Sequence, residues 1–456
     1  MFTSQLANLK NYFETGATKS YEFRRQQLKL LKEAIQKYES EITDALYKDL
    51  KKSPEESYAS EIGLVLSEIN LYLKNLSDWM RPETVPTNLL NLPSSSKIYK
   101  DALGVVLIIA PWNYPFQLMF NPLIAAIAGG NCVVLKPSEF APATSTIMEK
   151  ICTEIFAKEF ILLIQGDGAA VVPSLMNNFV FNHVFYTGSI AVGKMVYKMA
   201  AENLVPVTLE LGGKSPAIVE ADANIKVAAQ RIVMGKFINV GQTCIAPDYI
   251  VVHESAKDEL IQEMKASIKK FYTNDASSSY DYGKIINEKR FAKLVSYLNE
   301  GTVIYGGQYN KETLFIAPTL LENVSLQSSI MQEEIFGPLL PIITYKTREE
   351  AIAIIKPNEN PLALYLFTTN KSSEGFWMNN IPFGGGCINN TVYQFANHNL
   401  PFGGVGNSGM GAYHGKFGFD VFTRKKAVLK TPNWFNPSIK YPSFKGKLKL
   451  FKWMFK

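Results

Sequence analysis

The chain has 456 residues, of which 47% are hydrophobic and 19% charged. That is too long for one compact core and too apolar for a disordered chain, so two or three folded domains are expected. The net charge of +6 is concentrated in the last twelve residues, which hold five lysines and no acid; the body is close to neutral, which argues against a dedicated nucleic-acid binder and points to a local function of the tail.

The start, Met1-Phe-Thr-Ser-Gln-Leu-Ala, lacks the cationic and long apolar stretches of a secretory leader, and no apolar run reaches membrane-spanning length. Residues 20–50 carry helical spacing, with Leu28, Leu31, Ile35 and Tyr38 on one face, and 61–80 reads as a second helical stretch. Residues 81–93 are rich in proline and asparagine and read as a connector, and 94–100 alternates as a strand. From Gly104 the pattern becomes strand, turn, helix, with apolar runs at 105–110, 132–135 and 184–186. Such alternation predicts a parallel, doubly wound sheet. A second α/β region starts near Glu210 and includes strand-like runs at 250–253, 339–344 and 362–368, and the chain turns glycine-rich near Phe402.

The four cysteines, Cys132, Cys152, Cys244 and Cys387, form no CxxC pair and no metal-like cluster with the four histidines. No metal is expected, and free thiols suit a reducing, cytoplasmic setting. Cys244 stands apart because it ends a short polar turn, Gly241-Gln242-Thr243-Cys244, between apolar segments. A thiolate there can attack a carbonyl carbon. A lone cysteine is more often a small core residue, so its company matters. Upstream lie Ala110-Pro111-Trp112-Asn113-Tyr114-Pro115 and Leu209-Glu210-Leu211-Gly212-Gly213-Lys214. Downstream lie Glu333-Glu334-Ile335-Phe336-Gly337-Pro338 and Pro401-Phe402-Gly403-Gly404-Val405-Gly406-Asn407-Ser408-Gly409.

In that order these segments resemble the aldehyde dehydrogenase superfamily, closest to its class 3 and fatty aldehyde branch, over residues from about 21 to 430. The resemblance implies NAD(P)-dependent oxidation of an aldehyde to its acid by a homodimer. It implies a doubly wound α/β cofactor domain (1–80 and 103–209) and an α/β catalytic domain (210–396). A small β oligomerisation element (81–102 and 397–430) and a basic tail (431–456) complete the expected organisation.

Cys244 is then the nucleophile, passing through a thiohemiacetal and a thioester. Glu210 is the base for the hydrolytic water. Glutamate between Leu209 and Leu211 is unusual for a solvated face, and a half-buried carboxylate would have a raised pKa. Asn113, read alone, fits a turn asparagine as well as an oxyanion donor; the resemblance adds the second role, with the Cys244 backbone N–H as partner. By resemblance, Glu334 meets the nicotinamide-side ribose and Phe336 packs near the nicotinamide. Glu333 is given no catalytic role.

No GxGxxG turn follows a strand, so the usual dinucleotide fingerprint is missing. The family variant stands at Tyr186-Thr187-Gly188-Ser189-Ile-Ala-Val-Gly193, where a helix N-terminus can face a pyrophosphate. Lys136 and Glu139, in Leu-Lys-Pro-Ser-Glu, are candidates for the adenosine ribose. A carboxylate at Glu139 repels a 2′-phosphate and favours NAD, although class 3 relatives with a carboxylate here accept NADP as well.

Three rivals remain at this stage. A CoA-acylating relative usually lacks the glutamate found at Glu210. A cysteine hydrolase needs a histidine base, and His183, His253, His398 and His414 show no local signature for one. A non-catalytic protein would be expected to have lost Cys244, Glu210 or Asn113. Apolar funnel-wall candidates are Trp112, Tyr114, Ile245, Tyr393 and Phe402, which suit a medium-chain, long-chain or aromatic aldehyde. If the tail is helical, Leu448, Phe451 and Phe455 fall opposite Lys445, Lys449, Lys452 and Lys456. Such a helix can lie on an anionic membrane or dock on the protein itself or its dimer partner.

Overall fold

The computed structural model describes residues 2–455. Its central strand is Val105–Ile109, five apolar residues that are all buried. A strand apolar on both faces must be covered on both faces, which is the situation of a parallel sheet between helices. Cys132–Lys136 and His183–Thr187 flank it in parallel, with Ile161–Leu163 and Val207–Glu210 beyond them. In chain order these five strands lie 3-2-1-4-5 across the sheet, and Gly409–Met410 closes the edge antiparallel to Val207–Glu210. The order reverses between Val105–Ile109 and His183–Thr187, which opens a crevice at the carboxyl ends of the strands.

A second sheet has seven strands, in the order Thr302–Tyr305, Thr319–Glu322, Leu339–Tyr345, Tyr249–His253, Pro216–Val219, Ala363–Phe367 and Gly385–Ile388. Only the Thr302–Tyr305 edge strand is antiparallel. A third, antiparallel sheet joins Glu83–Val85, Ser95–Ala102 and Thr423–Lys430. The doubly wound α/β class expected from the strand-turn-helix pattern is the one observed.

Some local expectations change. The helical stretch at 20–50 is two helices, Tyr21–Lys37 and Glu39–Leu50, broken where Tyr38 takes φ −102° and ψ 15°. The break packs Glu39–Leu50 against Pro142–Ile155, and the Tyr38 hydroxyl bonds Glu154 of that helix. An additional helix, Thr3–Glu14, precedes them; it buries only Leu6 and Leu9, too few to mark a face in the sequence. The connector at 81–93 contributes an edge strand. The tail helix runs only from Leu448 to Met454, because Gly446 at φ +82° sits in the left-handed region and cuts Lys445 from it. Lys456 lies outside the described residues. Among the described residues no helix is long and apolar enough to cross a membrane, and no group of side chains is arranged to hold a metal ion.

Candidate active site

The thiol is delivered by a strained turn. After the Ile225–Phe237 helix, Asn239 and Val240 both take left-handed backbone conformations, at φ 49° and 56°. A β-branched residue rarely does so, and each such residue costs on the order of 1–3 kcal/mol. The turn is held from several sides. The Asn239 N–H donates to Glu56 Oε1 at 2.9 Å, and Asn239 Nδ2 donates to the Asn113 carbonyl at 2.8 Å. Gln242 Nε2 donates to the Lys284 carbonyl, and its Oε1 accepts from the Ile286 N–H, both at 3.0 Å. Gly241 (φ +73°) must be glycine, because a Cβ would stand 2.3 Å from the Gly337 carbonyl oxygen.

Cys244 opens into a cavity of about 260 Å³. Glu210, Thr187, Tyr114, Ile245, Tyr393 and Phe402 line it too, so four of the five predicted wall residues are there. Trp112 is the exception. Its ring meets Phe336 edge-on, with centroids 5.3 Å apart, away from the cavity lining. None of the four histidines lines the cavity, so the cysteine-hydrolase rival finds no base there.

Glu210 ends the Val207–Glu210 strand and is 2% exposed, more deeply buried than the half-buried carboxylate expected. Neither of its oxygens has a hydrogen-bond partner. Desolvation alone pushes its pKa well above the ordinary carboxylate range. Burial also raises the Cys244 thiol, with the carboxylates of Glu334 and Glu210 adding to the effect. The resting pair is therefore a neutral thiol beside a carboxyl group that holds protons tightly.

Asn113 is fully buried and lies behind the cavity wall. Its Nδ2 donates to the Gln242 carbonyl at 3.0 Å, while its Oδ1 has no partner. One amide N–H thus ties the loop to the nucleophile turn, and the second is the one available to an oxyanion. Sequence reasoning missed the support behind it. Lys52 Nζ meets Glu61 Oε1 at 2.5 Å, with both side chains at 0% exposure, and also donates to the Asn113 carbonyl at 3.1 Å. Glu61 Oε2 accepts the N–H groups of Phe116 and Gln117 at 2.9 and 3.3 Å. The neighbouring Tyr114 hydroxyl bonds Thr243 Oγ1 at 2.7 Å. Lys52 lies in the loop after the Glu39–Leu50 helix and Glu61 nine residues further on, and nothing local in the sequence distinguishes them.

On the opposite side, Glu334 presses its carboxylate against Gly212, where a Cβ would stand 2.0 Å from Oε2. Its pKa is raised to about 8, chiefly by burial and then by Asp248, with Arg290 and Lys214 opposing. Phe336 packs between Trp112 and the Arg290 guanidinium, which is 6.0 Å from the ring centroid. Glu333 instead bonds Lys293 and Tyr297 toward the surface. Lys236, also missed, is a fully buried ammonium 4.0 Å from Asp248; burial lowers its pKa to about 8.

The cofactor candidates gather at the carboxyl ends of the first sheet. Buried Lys136 ends Cys132–Lys136 and donates to the Pro137 carbonyl at 2.6 Å. Glu139 lies 3.5 Å from it through Oε2 and accepts the Gly168 N–H through Oε1 at 3.1 Å. Ser189 caps the Ile190–Ala201 helix, and the Gly188 N–H donates to the Glu210 carbonyl at 3.0 Å. Gly193 lies against Leu211, where a Cβ would be 2.6 Å from a methyl group. A helix N-terminus at the switch point, a lysine and carboxylate beside it, and the side-chain-free cradle between Gly212 and Glu334 fit a dinucleotide.

Comparison with known proteins identifies the family. The profile of the Aldehyde dehydrogenase family matches residues 5–428. The 4,4'-diaponeurosporen-aldehyde dehydrogenase of Staphylococcus aureus is 48% identical, covering 98% of this chain and 97% of its own. The mouse (Mus musculus) aldehyde dehydrogenase described as dimeric and NADP-preferring is 42% identical, over 92% of each chain. The solved substrate-bound state of Staphylococcus aureus AldH superposes with a TM-score of 0.98 at 47% identity, covering 100% of both chains. With a thiol and a buried carboxyl in one cavity beside a dinucleotide crevice, the chain belongs to the aldehyde dehydrogenase family, and it is an NAD(P)-dependent oxidoreductase acting on aldehydes.

Proposed function

We propose that this enzyme oxidises medium-chain, long-chain or aromatic aldehydes to free carboxylic acids, with Cys244 as nucleophile and Glu210 as base. The observation that carries the reading is that both side chains open into one apolar cavity, where neither Glu210 oxygen is otherwise engaged. Sγ attack forms a C–S bond and turns the carbonyl oxygen into an oxyanion. The thiol proton goes to a carboxylate; Glu210 and Glu56 both line the cavity, but Glu56 accepts the Asn239 N–H while Glu210 is unengaged. The backbone N–H of Cys244 and the second N–H of Asn113 receive the oxyanion. NAD(P), when bound, accepts the hydride from the aldehyde carbon. The thioester left on Cys244 is then hydrolysed: Glu210, once it has lost the thiol proton to solvent, takes a proton from water, the water oxygen bonds the acyl carbon, the C–S bond breaks, and the departing thiolate regains a proton. Lys136, Glu139, Gly188, Ser189 and Gly193 would hold the cofactor, with Glu334 and Phe336 at its nicotinamide end. Glu139 favours NAD, with NADP also accepted.

The free edges of Gly385–Ile388 and Thr423–Lys430 support a homodimer, since exposed edge strands invite pairing. The third sheet is then the oligomerisation element, between a cofactor domain (1–80 and 103–209) and a catalytic domain (210–396). The tail supports peripheral membrane contact of a cytoplasmic enzyme: Leu448, Trp453 and Phe455 are 63%, 65% and 74% exposed, among lysines. Cys244→Ala tests the core of the proposal. It should abolish aldehyde oxidation while NAD binding, followed by fluorescence quenching, survives. Near-normal turnover would overturn the mechanism. A steady-state comparison across aldehyde chain lengths then identifies the substrate class.

A further inference from the structure

A base that is wholly buried must pass on the proton it takes, and Glu210 has no hydrogen-bonded neighbour to pass it to. Other buried polar atoms nearby are equally unengaged: Gln117 Nε2, Asn121 Oδ1, Tyr413 Oη and His414 Nε2. Unpartnered buried polar atoms are uncommon, and water usually completes them. Three of these residues line one or other of two adjoining cavities. Gln117 lines the main cavity with Glu210 and Cys244. Asn121, one turn further along the Gln117–Gly129 helix and on the same face, lines a second cavity with Glu68, His398 and His414. Leu64, Phe395 and Ala396 are walls of both. The second cavity has about 20 Å³, room for one water molecule. The Tyr413 hydroxyl is buried beside the Gln117 side chain, and the charges of Glu210, Cys244 and Glu68 all act on it.

We propose that Tyr413, Gln117, Asn121 and a water in the small cavity form a proton outlet from Glu210 to Glu68, which releases the proton to solvent beside His398. The proposal rests on Glu210 being the hydrolytic base. The balance is simple. Water gives its hydroxyl to the acyl carbon and a proton to the Glu210 carboxylate. That proton moves along the hydroxyl and water to a Glu68 oxygen, and leaves for bulk water. No electrons move along the route, and each member ends as it began.

Glu68 suits the last position. It is 8% exposed, and its Oε1 accepts the Gly415 N–H at 2.7 Å, which leaves Oε2 for the cavity. Burial raises its pKa to about 7, with the Gly415 N–H opposing, so it can take up and lose a proton near neutrality. The titratable groups facing it are His414 and His398 across the cavity, Tyr72 from its own helix, and Tyr413. His414 is held neutral by burial and packs between the rings of Phe395 and Phe402. His398 is half-exposed, which places the outlet at the surface.

The test is Tyr413→Phe and Glu68→Gln in the full-length enzyme, with NAD and a medium-chain aldehyde under rapid mixing. Reduced-cofactor absorbance and a pH-indicator dye in weak buffer are followed together. Both substitutions are gentle: the first removes only a hydroxyl beside the Gln117 amide, and the second keeps an oxygen for the Gly415 N–H. The burst of reduced cofactor should be unchanged, while steady turnover and proton release fall roughly 10²-fold, the low end of a lost proton-transfer step. Glu68→Gln should also remove the rise of the steady rate with pH near neutrality. Parent-like steady rates, pH profile and proton release in both variants would overturn the outlet. So would loss of burst and thermal stability together, which marks a structural role. Glu210→Gln separates the two readings: if it leaves steady turnover intact, the base assignment fails; if it blocks turnover while the outlet variants are silent, only the outlet fails.

Discussion

Replacing Lys52 with methionine tests whether the buried pair behind Asn113 organises the site. Methionine is close to lysine in length and fills most of its volume, so the cavity cost is small. What is lost is the 2.5 Å contact to Glu61, the 3.1 Å bond to the Asn113 carbonyl and the cation 4.0 Å over the Tyr114 ring. Both side chains are fully buried, so the change leaves a carboxylate without its counter-charge in a dry site, held only by the Phe116 and Gln117 N–H groups, which costs about 3–5 kcal/mol. The penalty depends on pH. Burial already raises the pKa of Glu61, and Lys52 is the strongest influence holding it down. Without Lys52 it rises further above the unfolded value of about 4.3. A raised pKa means that the folded state binds the proton more tightly. Stability is then fully present below the unfolded pKa and is lost as pH rises through the folded one. The variant should therefore unfold in urea almost like the parent near pH 5 and be weaker by about 3–5 kcal/mol near pH 8. Turnover should fall more than KM changes, because the loosened Asn113 loop matters most when the oxyanion forms. A loss equal at both pH values, or below about 1 kcal/mol at pH 8, would refute the reasoning.

Three further outcomes are expected. Glu210→Gln should leave a pre-steady-state burst of reduced cofactor followed by a very slow steady rate, read by stopped-flow absorbance; two unchanged phases would assign the base elsewhere. Glu139→Gln should raise NADP use relative to NAD in kcat/KM, since it removes the charge facing a 2′-phosphate while keeping an oxygen for the Gly168 N–H at 3.1 Å; an unchanged ratio removes Glu139 from cofactor choice. Deletion after Pro442 should weaken co-sedimentation with anionic vesicles at low salt and lower efficiency on long-chain aldehydes only, as polybasic attraction contributes roughly 1 kcal/mol per lysine. Equal partition of both forms would make the tail a docked element.

Much of the fold is local in origin. Apolar runs such as Val105–Ile109 and Cys132–Lys136 dictate buried parallel strands, and the strand ends and turns after them already carry Lys136, Asn113 and Gly188. The order of chemical residues along the chain, Asn113, Glu210, Cys244, Glu334, was legible before any contact was known. Helix ends were less so: the break at Tyr38 follows from packing on Pro142–Ile155, and Thr3–Glu14 buries too little to leave a pattern. Only the tertiary structure decided what the site feels. Glu210 was expected half-buried and is wholly enclosed, which sets its proton affinity. Lys52 and Glu61, unremarked in the sequence, are the buried support of the Asn113 loop. Trp112 read as cavity wall and packs on Phe336 instead. Residue type and spacing thus determined the strands and the chemistry available. Burial, electrostatic partners and the meeting of distant loops depend on long-range packing, which no local pattern of residues encodes.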